Sequence, residues 1–236
     1  MYYRMQMVRD QEIYWKNIET ILSTERLSVY GSDGAGPRVV IARYLWNMAL
    51  CESLYAPLQF FEIGLRNAID RAMLRSVEAP NWFDIVQLTP WGYRKVGEAK
   101  NKISSQRRTV TAGRVVAELP LGFWTSMFEA HYEKPSAHFL PTAIRHVFPL
   151  LKKSKHNRKQ IKSKLEQVRR LRNRVFHHER IIHWKDLSAQ HESILEIIRW
   201  IGFDLSSIAE VVDSFPQIHA SGIQPYLDQL QGDLPD

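Results

Sequence analysis

The sequence predicts an all-α protein. Three observations carry that prediction. Apolar residues recur at helical spacing along most of the chain, no alternating apolar–polar run is long enough for a central strand, and clusters of Pro, Gly and Ser cut the chain into helix-sized segments. Residues from about Gln11 to Leu27 place Ile13, Ile18, Ile21 and Leu22 along an amphipathic helix. Leu27 to Tyr30 is the one short run with some strand character, and a turn cluster from Gly31 to Pro37 follows it. The long apolar segment from Arg38 to Val77 contains Pro57, so it reads as two helices, one ending near Leu54 and one starting near Ala56. The second carries Phe60, Phe61, Ile63, Leu65 and Ile69 over a wide arc, as a buried helix does.

Ala79-Pro80-Asn81 ends that helix, and Pro90 starts a polar helical stretch to about Arg108. Thr111-Ala112-Gly113 reads as a connector. The aromatic, turn-like Leu119 to Trp124 leads into a short helix to about Glu129. Pro135, Pro141 and Pro149 divide the next region into short pieces. A basic helix spans about Asn157 to Phe176 and a final amphipathic helix about Lys185 to Ile201. Residues 1–215 are therefore taken as a single helical domain. Residues 216–236, which hold Pro216, Gly222, Pro225, Gly232 and Pro235, are taken as a loosely packed C-terminal tail.

Composition narrows the classes. The chain has 236 residues, 44% of them apolar and 24% charged, with seven Trp and ten Phe, which is enough to bury a core without staples. Cys51 is the single cysteine, in an apolar helix, and excludes both an intramolecular disulfide and a multi-cysteine zinc site. There is no Gly-rich phosphate loop and no His-Glu-x-x-His, so no metal and no cofactor is expected. The most apolar stretch, Tyr44 to Leu65, is interrupted by Asn47, Glu52, Gln59 and Glu62, and Met1 to Asp10 precedes no apolar run of signal-peptide type. The expectation is a cytoplasmic protein without a membrane partner.

The charge pattern points further. Lys and Arg number 32 against 25 Asp and Glu, a net charge of +7. Between Lys152 and Arg174 lie eleven basic residues and one acid, Glu166, so this segment carries +10 and the remainder −3. A local basic block suits an anionic partner, while its bland reading is a solvated loop and helix start. Within it, Lys152, Lys153, Lys155, Arg158, Lys159, Lys162, Arg169 and Arg170 are the candidate RNA-binding residues. Trp91, Tyr93 and Trp124 are candidates for stacking on bases, with core packing as the alternative.

The basic helix ends in Leu171-Arg172-Asn173-Arg174-Val175-Phe176-His177-His178-Glu179, which contains Arg-Asn, three residues and His-His. This pattern resembles the catalytic motif of the HEPN superfamily of helical ribonucleases, and more narrowly the Abi-like (abortive infection) proteins of bacteria. Phe61-Glu62-Ile63-Gly64-Leu65-Arg66-Asn67 is similar to the family's earlier Glu-x3-Arg-Asn helix, and Leu119 to Phe128 to its middle aromatic segment. The resemblance covers roughly residues 40 to 200. It implies a HEPN-like helical bundle with additional short helices and an endoribonuclease acting in phage defence or as a toxin. It also implies a homodimer whose two motifs share one cleft, and the possibility of an antitoxin protein or regulatory RNA as partner.

The residue types suit that chemistry. RNA can be cut by its own 2′-hydroxyl, and a histidine, with a reference pKa of about 6.5, can take that proton or give one to the leaving 5′-oxygen. An arginine forks onto phosphate oxygens and stabilises the added charge of the transition state, and no metal is needed. In this reading Arg172, Asn173 and His177 are catalytic, and His178, Glu62, Arg66 and Asn67 are possible catalytic or supporting residues. On an ideal helix Arg172 and His177 point about 140° apart, so either the helix ends near Phe176 or a second subunit completes the site. Two other readings stand beside this one. In the first, Arg172 is structural, salt-bridged to Glu62 beside the apolar stripe of Ile161, Leu165, Val168 and Val175, with Glu62 and Arg66 spaced as an ordinary i,i+4 pair. The chain as a whole would then be a non-catalytic RNA-binding or regulatory module, or a protein-interaction subunit of a defence assembly.

Overall fold

Every regular element among the described residues is helical. The computed structural model describes residues 11–134, 136 and 143–235. In chain order the helices are α1 (Gln11–Leu22), α2 (Thr24–Ser28), α3 (Pro37–Val77), α4 (Pro90–Ser105), α5 (Ala112–Glu118), α6 (Leu121–Ser126), α7 (Ala143–Val147), α8 (Arg158–Phe176), α9 (Leu187–Ile201), α10 (Phe203–Val211), α11 (Phe215–Ser221) and α12 (Gln224–Gln229). None of the described helices is long and apolar enough to cross a membrane. Pro135 and Pro141 lie outside the described residues.

Several boundaries differ from the sequence reading for identifiable reasons. Gln11 to Leu27 is two helices, because Ser23 takes φ +70° and its hydroxyl then accepts the Arg26 amide as an N-cap. Leu27 to Tyr30 completes α2 and its turn and forms no strand. Pro57 does not divide the long apolar segment. An interior proline removes the amide that would serve the Ser53 carbonyl and costs about 3 kcal/mol. Leu54, Leu58 and Phe61 around it are fully buried, and their packing offsets that loss. Thr111, taken as connector, is the N-cap of α5 and accepts from the Arg114 amide at 3.4 Å. Thr89 plays the same part before α4, accepting from Gly92 at 3.1 Å, with Pro90 at the first helical position.

The sequence reading takes residues 1–215 as one domain; the chain divides into two compact units. The first comprises Met1–Leu54, Arg174–Ser188 and Ser214–Asp236. Its core joins Leu27, Tyr30, Val40, Ile41 and Leu234, with Tyr14, Trp15, Ile18 and Leu22 of α1 packed against it. The tail is thus not loose. Leu234 is 2% exposed, the Pro235 carbonyl accepts from the Arg38 amide, and the Ile218 carbonyl accepts from the Trp46 indole at 2.9 Å. Pro216 and Pro225, part of the composition from which a loose tail is expected, stand in the first turns of α11 and α12.

The second unit comprises Tyr55–Asn173 and Ala189–Asp213. Its core is aromatic: Trp82, Phe83, Phe123, Trp124, Phe128 and Phe148 are all essentially buried, and the Trp82 indole donates to Asp70 at 2.8 Å. Ile161, Leu165, Val168 and Leu171 present the apolar stripe of α8. Gly64 of α3 allows Leu205 of α10 to approach closely, since a Cβ there would meet its Cδ2 at 2.7 Å. His191 and Asp213 form a buried pair at 2.9 Å.

Candidate active site

The motif histidines stand at the end of α8, and the local backbone there is specific. The His178 amide donates to the Val175 carbonyl at 3.2 Å and the Glu179 amide to the Arg174 carbonyl at 2.9 Å. These are the two bonds of a Schellman cap, which needs a left-handed residue at its penultimate position, and His178 supplies it with φ +57°. The helix therefore ends at Phe176, His177 is its last cap residue, and both imidazoles are exposed. Glycine is the usual residue at such a position. His178→Gly is expected to raise stability by about 0.5–1 kcal/mol, read as a higher urea midpoint at unchanged slope.

The residues after the cap are held from three sides. Arg26 of α2 donates to the His178 carbonyl at 2.7 Å, and Arg180 donates to the Val29 carbonyl. Asn47 of α3, only 3% exposed, accepts from the amides of Ile181 at 2.7 Å and Ile182 at 3.3 Å, and donates to the Glu179 carbonyl at 3.3 Å. Arg174 pairs with Glu179 at 3.1 Å and lies over the Trp184 ring at 5.1 Å. The segment 177–183 is a loop whose main chain is bonded rather than solvated.

These contacts shape an open cleft of about 630 Å³ within the first unit. His177, His178 and His183 line it with Arg26, Arg174 and Arg180. Glu25, Glu179 and Tyr30 also contribute to its walls. Burial pushes the Tyr30 phenol up to about 12, so it is a neutral donor there. The His183 imidazole is held below its ordinary range by partial desolvation first, and then by the charges of Arg180 and Arg174. The ring thus sits in a positive field.

The other motif residues belong to the second unit. Arg172 donates through Nε to Glu62 at 3.1 Å, and both side chains are about a quarter exposed. This is the partner named for a structural arginine. It also replaces the expected Glu62–Arg66 pair, since Arg66 instead donates to the Asn67 side chain at 3.2 Å. Asn173 is half-buried near the end of α8. Asn67 lines a separate cavity of about 450 Å³ with Phe60, Ile63, Arg71 and Leu205.

The basic block divides in the same way. Arg158, 12% exposed in its side chain, donates to Glu133 at 2.7 Å and to the Phe128 carbonyl at 2.9 Å. Lys162 faces Glu129 at 3.5 Å, Lys164 pairs with Glu196, and Arg169 pairs with Glu166 at 2.6 Å. Lys152, Lys153, Lys155, Lys159 and Arg170 are exposed, and among the described residues none of them has a carboxylate at ion-pair distance. Trp124 is 1% exposed and donates to the Leu119 carbonyl, so it is core and not a stacking surface. Tyr93 is exposed, with its hydroxyl on the Val86 carbonyl, and Trp91 lies under Lys95.

Sequence reasoning missed Arg26, Arg174, Arg180 and His183. The last three stand within six residues of His177 and were open to inspection as a cluster. Arg26 carried no signal, because its role depends on a contact 152 positions away. Cys51 is half-buried, and burial pushes its thiol up to about 11, which keeps it unreactive. No family model, curated protein or solved structure matches the chain.

Proposed function

We propose that this protein is a metal-independent endoribonuclease of the HEPN, Abi-like kind, cutting RNA by attack of a 2′-hydroxyl on the adjacent phosphorus. The observation that carries the reading is the exposure of His177 and His178 in a cleft that also holds His183 and three arginines. One imidazole takes the 2′-hydroxyl proton as the 2′-oxygen bonds to phosphorus. The bond from phosphorus to the 5′-oxygen breaks, and that oxygen takes a proton from an imidazolium. The products are a 2′,3′-cyclic phosphate and a 5′-hydroxyl, and the two histidines regain their starting states through solvent. His177 is the proton-transferring group and His178 the alternate. Arg172 and Asn173, which precede His177 in the motif, are the candidate phosphate ligand and positioning residue, and Glu62 accepts from the Arg172 Nε. Lys152, Lys153, Lys155, Lys159 and Arg170 are the candidate contacts for the RNA backbone. The functional unit is a homodimer acting in phage defence or as a toxin, with an antitoxin protein or regulatory RNA to restrain it.

The test is to incubate the purified protein with total cellular RNA in EDTA. The expected result is fragmentation that EDTA does not slow. RNA left intact across all cellular species overturns the proposal. The Arg172–Glu62 pair favours a second reading, a non-catalytic RNA-binding module, in which the motif serves stability. That module would bind RNA with a steep salt dependence and leave it uncut.

A further inference from the structure

The cleft holds two kinds of arginine. Arg174 is committed to Glu179 and to the face of Trp184. Arg26 and Arg180 are held differently, each by a hydrogen bond to a neutral main-chain carbonyl, His178 and Val29 respectively. Among the described residues neither has a carboxylate at ion-pair distance. A carbonyl fixes a guanidinium in place without cancelling its charge. Each guanidinium has five N–H donors, so most remain for a ligand. Arg26 is further steadied over the Tyr44 ring at 5.6 Å. Two positioned, uncompensated cations beside exposed imidazoles match a tetrahedral oxyanion, which takes several short charge-assisted bonds.

We propose that Arg26, Arg180 and His183 form a phosphate subsite in this cleft, so that one chain binds the phosphodiester beside its own His177. This rests on the ribonuclease reading for its biological ligand, but the subsite itself is a statement about anion binding. It moves the phosphate-binding duty from Arg172 to residues that the motif does not include. The His183 imidazole, held down first by desolvation and then by the charges of Arg180 and Arg174, lies in that positive field. A bound phosphate reverses that field and raises the proton affinity of this ring, while Glu25 and Glu179 stay in place as the fixed acids of the cleft wall.

The experiment follows the histidine ring resonances of the full chain by NMR during titration with inorganic phosphate, then with an all-DNA hexamer that has no 2′-hydroxyl to react. The expected result is saturable shifts at His183 and His177 and an upward move of the His183 titration midpoint. Arg180→Gln is expected to weaken phosphate binding about tenfold and Arg180→Lys by less. Lys102→Gln, on the second unit, is expected to leave it unchanged. Because Arg26 also holds the His178 carbonyl, Arg180 is the decisive variant. Phosphate that shifts no cleft imidazole, or that binds Arg180→Gln as it binds the wild type, overturns the subsite. A protein that cuts RNA but shows no His183 response sinks the subsite alone. One that binds phosphate here yet cuts no RNA removes the ribonuclease reading and leaves the subsite standing.

Discussion

His177→Ala is expected to lower the rate of RNA cleavage by about 10²–10⁴, the usual contribution of a positioned acid or base. Stability should be nearly unchanged, because the imidazole is exposed and the cap bonds around it run through main-chain atoms of Arg174, Val175, His178 and Glu179. RNA affinity should also persist, since the exposed lysines and Arg170 are untouched. The loss would therefore fall on kcat rather than KM. Single-turnover cleavage at saturating protein, beside a binding isotherm and a urea melt, separates these quantities. A drop in stability or affinity that matches the drop in rate would mean His177 acts through the fold.

Asn47→Ala is expected to destabilise the first unit strongly. Its Oδ1 serves the amides of Ile181 and Ile182, and its Nδ2 serves the Glu179 carbonyl. Ile181 is fully buried, so its amide has no water to turn to. A buried donor left unpaired costs about 1–3 kcal/mol, and with the second amide and the carbonyl the total is about 2–4 kcal/mol. Asn47→Asp should be worse than its size suggests, because it sets a buried carboxylate oxygen against the Glu179 carbonyl. Cleavage should fall with stability, since the loop bearing His183 and Arg180 depends on the same three bonds. Urea unfolding of both variants checks the stability term, and an unchanged midpoint for Asn47→Ala would contradict this account of the loop.

The helical class and the basic helix were readable because their signal is local. The stripe Ile161, Leu165 and Val168 repeats at helical spacing, and α8 ends where the histidines begin. Asn47 entered the sequence reading only as an interruption of an apolar run, and its main-chain partners lie more than 130 residues away. The basic block looked like +10 because only Glu166 is nearby in sequence. Glu62, Glu129, Glu133 and Glu196 neutralise Arg172, Lys162, Arg158 and Lys164 from segments distant in sequence. Pro57 misled for the opposite reason: its local penalty is real, but the burial of Leu54, Leu58 and Phe61 outweighs it. The left-handed His178 was hidden because glycine, the residue that usually marks such a cap, is absent.

The central claim is that a histidine-lined cleft lets RNA cut itself through its own 2′-hydroxyl. The most direct measurement is the chemistry of the fragment ends produced by the wild type in EDTA, with an RNA carrying one 2′-deoxynucleotide at a mapped cleavage position as the companion substrate. The predicted result is 2′,3′-cyclic phosphate and 5′-hydroxyl ends, with cleavage lost at the deoxy position alone. Ends bearing 3′-hydroxyl and 5′-phosphate, or undiminished cutting at the deoxy position, would contradict the account.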